Sequence, residues 1–334
     1  MFRVICFVFL LLGVQSAHAQ VDASGVPRVG DLSARISGVT MYDPDTLLKF
    51  AIQHVEGHDG LVTADRVVQA IDLIYREDGY FLAESTVDVE GEGLVFQVQE
   101  GWIERLAIEG ADHDLFEQIS AYFEPVVGLN PLALHQFERA MMLTEDLSGV
   151  SIAVEIDYPS GSEGARLYVF VEQQESGGSV TLDNPPREFG SGLTALATQE
   201  FYSTFRPGDL LRLEAGGPAF LEDGNGLTGG AAYRTPIGGS GAYVEGYVKN
   251  VYAQRGASGQ LSETTIRGLS TGLTAGWPVV RDLHRHHYVL LEARHSEVES
   301  ITSLENFESA AQTISATYLM GYRTSDGSPS HASL

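Results

Sequence analysis

The stretch Gly79–Gly110, GYFLAESTVDVEGEGLVFQVQEGWIERLAIEG, sets three β-rich runs nose to tail. The first two, Phe81–Glu90 and Leu94–Glu100, meet at Gly91-Glu92-Gly93, a glycine-bounded hairpin turn. The third, Ile103–Glu109, follows Glu100-Gly101 with no linker. Two helical patterns precede them. Leu47, Leu48, Ala51, Ile52 and Val55 recur at helix spacing from Asp43, and Val67, Ile71, Ile74 and Tyr75 do so after Thr63, a good N-cap. The second helix is expected to stop at Gly79. A weak strand, Ala34–Thr40, opens the series.

The order then repeats about 70 residues on, with Gly149-Val150 in the place of Gly79-Tyr80. Ile103–Glu109 is the opening strand. Asp112 caps a helix carrying Leu115, Phe116, Ile119 and Phe123. Asn130-Pro131 reads as a cap with proline at the first helical position, and Leu134, Phe137 and Met141 follow. The strands VSIAVEIDYP and ARLYVFVEQ flank the turn SGSEG. Each unit is therefore strand, helix, helix, strand, strand, a three-stranded sheet with helices on one face. Ile152, Val154 and Ile156 alternate with Ala153, Glu155 and Asp157, as a sheet buried on one side requires.

Residues 1–19 read as a secretory signal peptide: Arg3, the apolar run Val4–Val14, and Ala17-His18-Ala19 at the cleavage site. Residues 20–35 read as a linker. The single cysteine, Cys6, lies within the leader, so a processed chain has no thiol for a disulfide or a thiolate metal site. The formal charge of −25 argues against a nucleic-acid partner, which needs a basic footprint. Residues 36–175 hold 27 acidic and 6 basic side chains, residues 176–334 hold 16 and 11, and 22 of the 37 glycines lie after residue 175. The shift predicts a second kind of structure there.

After Glu175 the helical pattern ends. Strand-length runs follow: SVTLDN, SGLTALATQEF, DLLRLEAGG, LTGGAAYRT, GAYVEGYVKNVYA, STGLTAGW, HYVLLEARHSEV and ATYLMGYRT. Val289, Leu291 and Ala293 oppose Leu290, Glu292 and Arg294. Ile314, Ala316, Tyr318, Met320 and Tyr322 oppose Ser315, Thr317, Leu319, Gly321 and Arg323. One apolar face with tyrosines and one polar face predict an outer-membrane barrel wall. A soluble β-sandwich alternates in the same way and is the competing expectation.

REDGYFLAES, the junction VQEGWIERLAIEG, ERAMMLTEDLSGV, TLDNPPREFGSGLTAL, RPGDLLRLE and AYRTPIGGSGAYVEGYV together resemble the two-partner-secretion transporter family of the ShlB/FhaC/HecB type. The resemblance covers roughly residues 36–325. It implies an α+β region followed by an all-β one: two tandem polypeptide-transport-associated (POTRA) domains, residues 36–101 and 102–175, then antiparallel transmembrane β-barrel strands over 176–334. It further implies a location in the cell outer membrane with the POTRA-like domains in the periplasm. The partners it implies are an unfolded secreted protein client and outer-membrane lipid, with no nucleotide, no nucleic acid and no cofactor. The family barrel has sixteen strands. At about 9–11 residues per membrane strand, residues 176–334 hold about half of it. The expectation is a C-terminally truncated product, with a complete small barrel or a pairing of two chains as alternatives. The family's arginine-glycine loop motif and aromatic last strand are missing, and the chain closes on the turn-like TSDGSPSHASL. A barrel-assembly factor, which shares the domain type, and a periplasmic POTRA-based binding module are the alternative functions.

No catalytic, metal or cofactor site is expected. Gly224-Asn225-Gly226-Leu227-Thr228-Gly229 fits the dinucleotide string but lacks the following helix, and reads as a glycine-rich loop between strands. His284, His286 and His287 read as part of a solvated hairpin loop. The remaining binding feature is the middle run of each unit, expected at a sheet edge where backbone groups pair with an extended client. Phe81, Glu84, Thr86 and Asp88 mark that edge in the first unit, and Ile152, Val154 and Ile156 mark it in the second.

Overall fold

The computed structural model describes residues 33–59, 62–91, 93–159, 162–184, 192–221, 224–255, 263–323 and 329–333. The signal peptide and most of the linker lie outside the described residues. Contacts divide the chain into two compact units. The first comprises residues up to Glu109 with Phe123–Ala140 and Ala153–Phe170; the second comprises Gly110–Tyr122, Met141–Ile152 and Val171–Leu334.

The first domain runs β1 (Ser33–Ser37), α1 (Pro44–Asp59), α2 (Ala64–Glu77), β2 (Glu84–Glu90) and β3 (Gly93–Gln99). Its sheet order is β1-β3-β2, with β1 parallel and β2 antiparallel to β3. Asp43 caps α1, accepting the Thr46 amide at 3.0 Å. Thr63 holds the α2 cap position but its side chain makes no cap bond. Gly79 ends α2 in the left-handed region at φ 90°. The Gly79 amide donates to Arg76 and the Tyr80 amide to Tyr75, a Schellman closure that only a residue free of Cβ adopts at low cost. This winding, continued by the Ala83 amide to Tyr80, delays the strand to Glu84. Phe81 therefore precedes the strand on which the sequence reading placed it. Val67, Ile71 and Tyr75 of α2 close with Leu47 and Ala51 of α1 onto Leu94 and Phe96.

The second domain repeats the plan: β4 (Ile103–Glu109), α3 (His113–Phe123), α4 (Leu134–Glu145), β5 (Val150–Asp157) and β6 (Ala165–Gln173), in the order β4-β6-β5. Asp112 caps α3 through the Leu115 amide at 2.9 Å. The Asn130–Pro131 expectation is corrected. That peptide is cis, and α4 starts at Leu134, where Gln136 reaches back to the Ala133 amide as half of a capping box. One repeat signal was missed in the sequence. Gly38 after β1 and Gly110 after β4 have φ 80° and 87°. A Cβ on either would strike the carbonyl oxygen of the central strand, at Val98 and at Val171 respectively.

From Ser176 the chain forms a nine-stranded antiparallel sheet in sequence order: β7 (Ser176–Asp183), β8 (Gly192–Tyr202), β9 (Leu210–Leu221), β10 (Gly224–Ile237), β11 (Ala242–Arg255), β12 (Thr264–Arg281), β13 (Arg285–Thr302), β14 (Asn306–Arg323) and β15 (Pro329–Ser333). Among the described residues the sheet is open, with β7 and β15 at its ends. The eight expected runs fall on β7–β14. Two readings are corrected. The glycine string 224–229 lies inside β10, paired along its length with β11, and is not a loop. Within TSDGSPSHASL, Pro329–Ser333 is strand and not turn: it forms β15, paired with β14.

Gly38 and Gly91 separate two costs of a side chain. Both have positive φ, but a Cβ at Gly91 meets nothing within 4 Å. Gly91→Ala is expected to cost about 1–2 kcal/mol, the left-handed penalty alone. Gly38→Ala is expected to cost measurably more, because Val98 must also move. Hydrogen exchange of the β1 and β3 amides in each variant checks the order.

Candidate functional site

The middle strands β2 and β5 each lie at a sheet edge. Along a strand, successive residues turn their N–H and C=O groups to opposite sides. In β2 the Ser85 amide donates outward, to Asp72 Oδ1 of α2 at 2.9 Å. By alternation the groups of Val87 and Val89 also face outward, whereas those of Glu84, Thr86 and Asp88 face β3. The side chains of Glu84, Thr86 and Asp88 are exposed on the sheet face away from the helices. They therefore flank the free edge rather than own its donors. Phe81 is off the strand and packs on Phe137, with ring centroids 5.4 Å apart. In β5 the Gln174 amide bonds the Gly149 carbonyl at 2.8 Å, which turns the odd-numbered residues toward β6. Ile152, Val154 and Ile156 then present their backbone groups outward, with side chains half-buried. Burial raises the pKa of Asp72 despite its two bonds from Ser85.

One buried carboxylate holds the first domain's junction in shape. Glu100, 4% exposed, accepts the Thr40 amide at 2.7 Å, the Met41 amide at 3.0 Å, the Tyr75 hydroxyl at 2.7 Å and the Thr40 hydroxyl. Burial opposes its ionisation, but these donors outweigh it and hold its pKa below the ordinary value. Tyr75 is pushed up, by burial and then by Glu100. Apart from the Glu-Gly junction itself, no local sequence pattern points to this node.

The nine-stranded sheet has two unlike faces. Leu211, Tyr233, Gly246, Leu273, Ala293 and Ile314 are register neighbours across β9–β14. Trp277, Leu291 and Tyr318 share their face. Leu273, Trp277, Leu291 and Ile314 are 56%, 58%, 56% and 88% exposed. A sandwich would bury such a face against a second sheet, and a contiguous exposed apolar band has a large cost in water. The opposite face carries ion pairs: Arg212 to Glu200 at 2.8 Å, Arg234 to Glu245 at 2.7 Å and Lys249 to Glu214 at 3.9 Å. Tyr243 and Tyr247 lie across Gly276 and Gly272 on this face, where any Cβ would enter their rings.

Within the second unit the residues after α4 join the strand ends. Arg281 grips Asp146 with two bonds, 2.8 and 2.7 Å, and the Tyr288 hydroxyl adds a third at 2.8 Å. The Ser148 amide donates to the Gly208 carbonyl at 3.2 Å. A cavity of about 210 Å³ lies here, lined by Tyr122, Leu143, Asp146, Tyr243, Tyr288 and Leu319. The turn before β9 is ordered by Asp209, whose carboxylate takes the amides of Thr204, Phe205 and Arg206 and the Tyr233 hydroxyl.

The three histidines do not converge. His284 lies in the turn after β12, while His286 and His287 open β13 and so are not in a loop as the sequence suggested. The His286 ring lies against Gly321, and His287 bonds the Tyr318 hydroxyl at 2.9 Å. Among the described residues no group of three His, Cys, Asp or Glu side chains is placed to hold a metal.

This combination of paired small sheets and a two-faced wall has known counterparts. CdiB from Escherichia coli matches with a TM-score of 0.66 over 93% of this chain and 59% of that one, at 15% identity. The chain is similar in fold to CdiB. CdiB from Acinetobacter baumannii matches with a TM-score of 0.55 over 95% of this chain and 63% of that one, at 12% identity. The chain thus spans about three-fifths of the CdiB structures it matches. No family model matches the sequence, and no curated protein does. The likeness in fold agrees with the α+β region followed by antiparallel wall strands expected from the sequence.

Glu100 gives a signed pH dependence. Its lowered folded pKa adds stability that is complete above the unfolded carboxylate value, about 4.3, and is lost as pH falls through the folded pKa. Glu100→Gln is expected to cost about 2 kcal/mol at neutral pH, since bonds to a charged acceptor contribute about 1.5–3. It should also flatten the acid limb of first-domain unfolding. Acid titration of amide protection at residues 38–42 measures both.

Proposed function

We propose that the chain is the periplasmic and membrane part of an outer-membrane polypeptide transporter. Its two POTRA-like domains capture an unfolded secreted client in the periplasm, and the nine-stranded wall, its apolar face in lipid and its charged face toward the pore, passes the client outward. The observation that carries this reading is the pairing of two sheet edges with outward backbone groups, β2 and β5, with a wall that is apolar on one side and ion-paired on the other. An extended client adds a strand to such an edge through main-chain bonds, so capture is tolerant of client sequence. Half-buried Val87, Ile152, Val154 and Ile156 offer alternate apolar positions beside it. The acidic surface, 27 carboxylates against 6 bases in residues 36–175, draws basic or neutral clients and gives salt dependence. The chemistry asked of the protein is binding and passage, with no cofactor.

Proline tests the edges. Val89→Pro and Val154→Pro remove outward N–H groups and leave the internal ladder intact, which edge strands tolerate. With reduced, alkylated lysozyme as a permanently unfolded basic probe, both variants are expected to lose binding to the detergent-solubilised chain. Unchanged binding in the double variant would refute edge capture.

A further inference from the structure

The repeat exposes a difference that the fold does not require. Leu94, Phe96 and Val98 of β3 and Leu167, Val169 and Val171 of β6 are the buried, helix-facing residues of the two central strands. Between them, on the face away from the helices, the first domain has Val95, which is buried, and Gln97, while the second has Tyr168 and Phe170. Their rings stack at 6.4 Å with an interplanar angle of 12°, and Phe170 is 38% exposed. Ala107 and Glu109 of β4 are their register neighbours. On β5 the exposed side chains are Ala153, Glu155 and Asp157. The open face is thus a flat aromatic strip with small alanines beside it and carboxylates at its border. Arg105 and Arg166 are register partners at the other end, which gives the strip a direction.

We propose that this face recognises a client segment in extended conformation that carries an aromatic or large aliphatic residue with Lys or Arg two positions on. The proposal rests on the client-capture reading and names what the second domain selects. The stacked rings present an apolar platform beside which Ala107 and Ala153 leave room. Side chains two residues apart on an extended segment lie on one face, roughly 7 Å from each other. That spacing carries a cation from the rings to Glu109 or Glu155. The first domain, with glutamine at the matching position, lacks the platform, so the two domains divide the work. The first captures through backbone alone; the second adds a side-chain preference.

The test uses the full chain in detergent and a fluorescent twelve-residue unstructured peptide holding one Phe-Ser-Lys triplet among Gly and Ser. Phe170→Gln installs the residue that the first domain carries at the matching position, so the sheet tolerates it. It is expected to weaken binding about tenfold, the effect of about 1.4 kcal/mol. Glu109→Gln with Glu155→Gln should measurably reduce the salt dependence. A control peptide with Phe and Lys adjacent should bind like Phe170→Gln binds the first peptide. Equal affinity of the wild type and Phe170→Gln overturns the proposal, and equal affinity for the two peptides overturns its spacing rule. If Val154→Pro abolishes capture of the unfolded probe while Phe170→Gln changes nothing, the face proposal fails and edge capture stands. If neither variant has an effect, both fail.

Discussion

Backbone N–H and C=O groups that lack a partner in their own sheet are what this chain is organised around. Every wall strand from β8 to β14 is paired on both sides, as a strand in lipid, with no water to turn to, would have to be. In the small domains the same groups are left open at the sheet edges, β2 and β5 among them. The difference is physical rather than topological. In water an unpaired edge is hydrated at little cost and remains available to a chain that offers its own backbone. On the function proposed above, one bonding rule serves two solvents, pairing the wall strands in lipid and leaving β2 and β5 open to a client in water.

The small domains are each tied together by a few hydrogen-bonded groups. Glu100 ties the segment before α1 to α2 and the end of β3 through four donors. Gly38 and Gly110 let the chain turn tightly beside the central strand in each repeat. In the second unit Asp146, Arg281 and Tyr288 bind the segment after α4 to the strand ends, with two-pronged geometry that a lysine would not give. Rigid edges lose less entropy when a client strand is added than mobile ones would.

Much of this was legible in sequence because periodicity reports burial directly. The helix stripes of α1 and α2, the alternation of β5, and the two-faced pattern of β13 and β14 all follow from one-sided packing. Boundaries were less legible. The strand after Gly79 starts at Glu84 because the Schellman closure and the turn after it use up Phe81–Ala83. Helix α4 starts at Leu134 because a side chain, Gln136, supplies the cap that Asn130 was expected to give. The glycine string in β10 looked like a loop because glycine has no side chain to show alternation, yet its backbone pairs as well as any. In β5 the outward backbone groups belong to Ile152, Val154 and Ile156, whereas in β2 they belong to the residues between Glu84, Thr86 and Asp88, a parity that only the bond from the Ser85 amide to Asp72 reveals. The Glu100 and Asp146 nodes join residues far apart in sequence, and no local pattern announces them.

On the function proposed above, the apolar face of the wall meets lipid. The chain has two tryptophans, and Trp277 alone lies on that face; Trp102 belongs to the first unit. The decisive measurement is fluorescence quenching in vesicles of lipids brominated along the acyl chain, with Trp102→Phe and Trp277→Phe to assign the signal. The account predicts strong quenching of Trp277 and none of Trp102. Trp277 emission that is unquenched by brominated lipid but quenched by aqueous iodide would place that face in water and contradict the membrane wall.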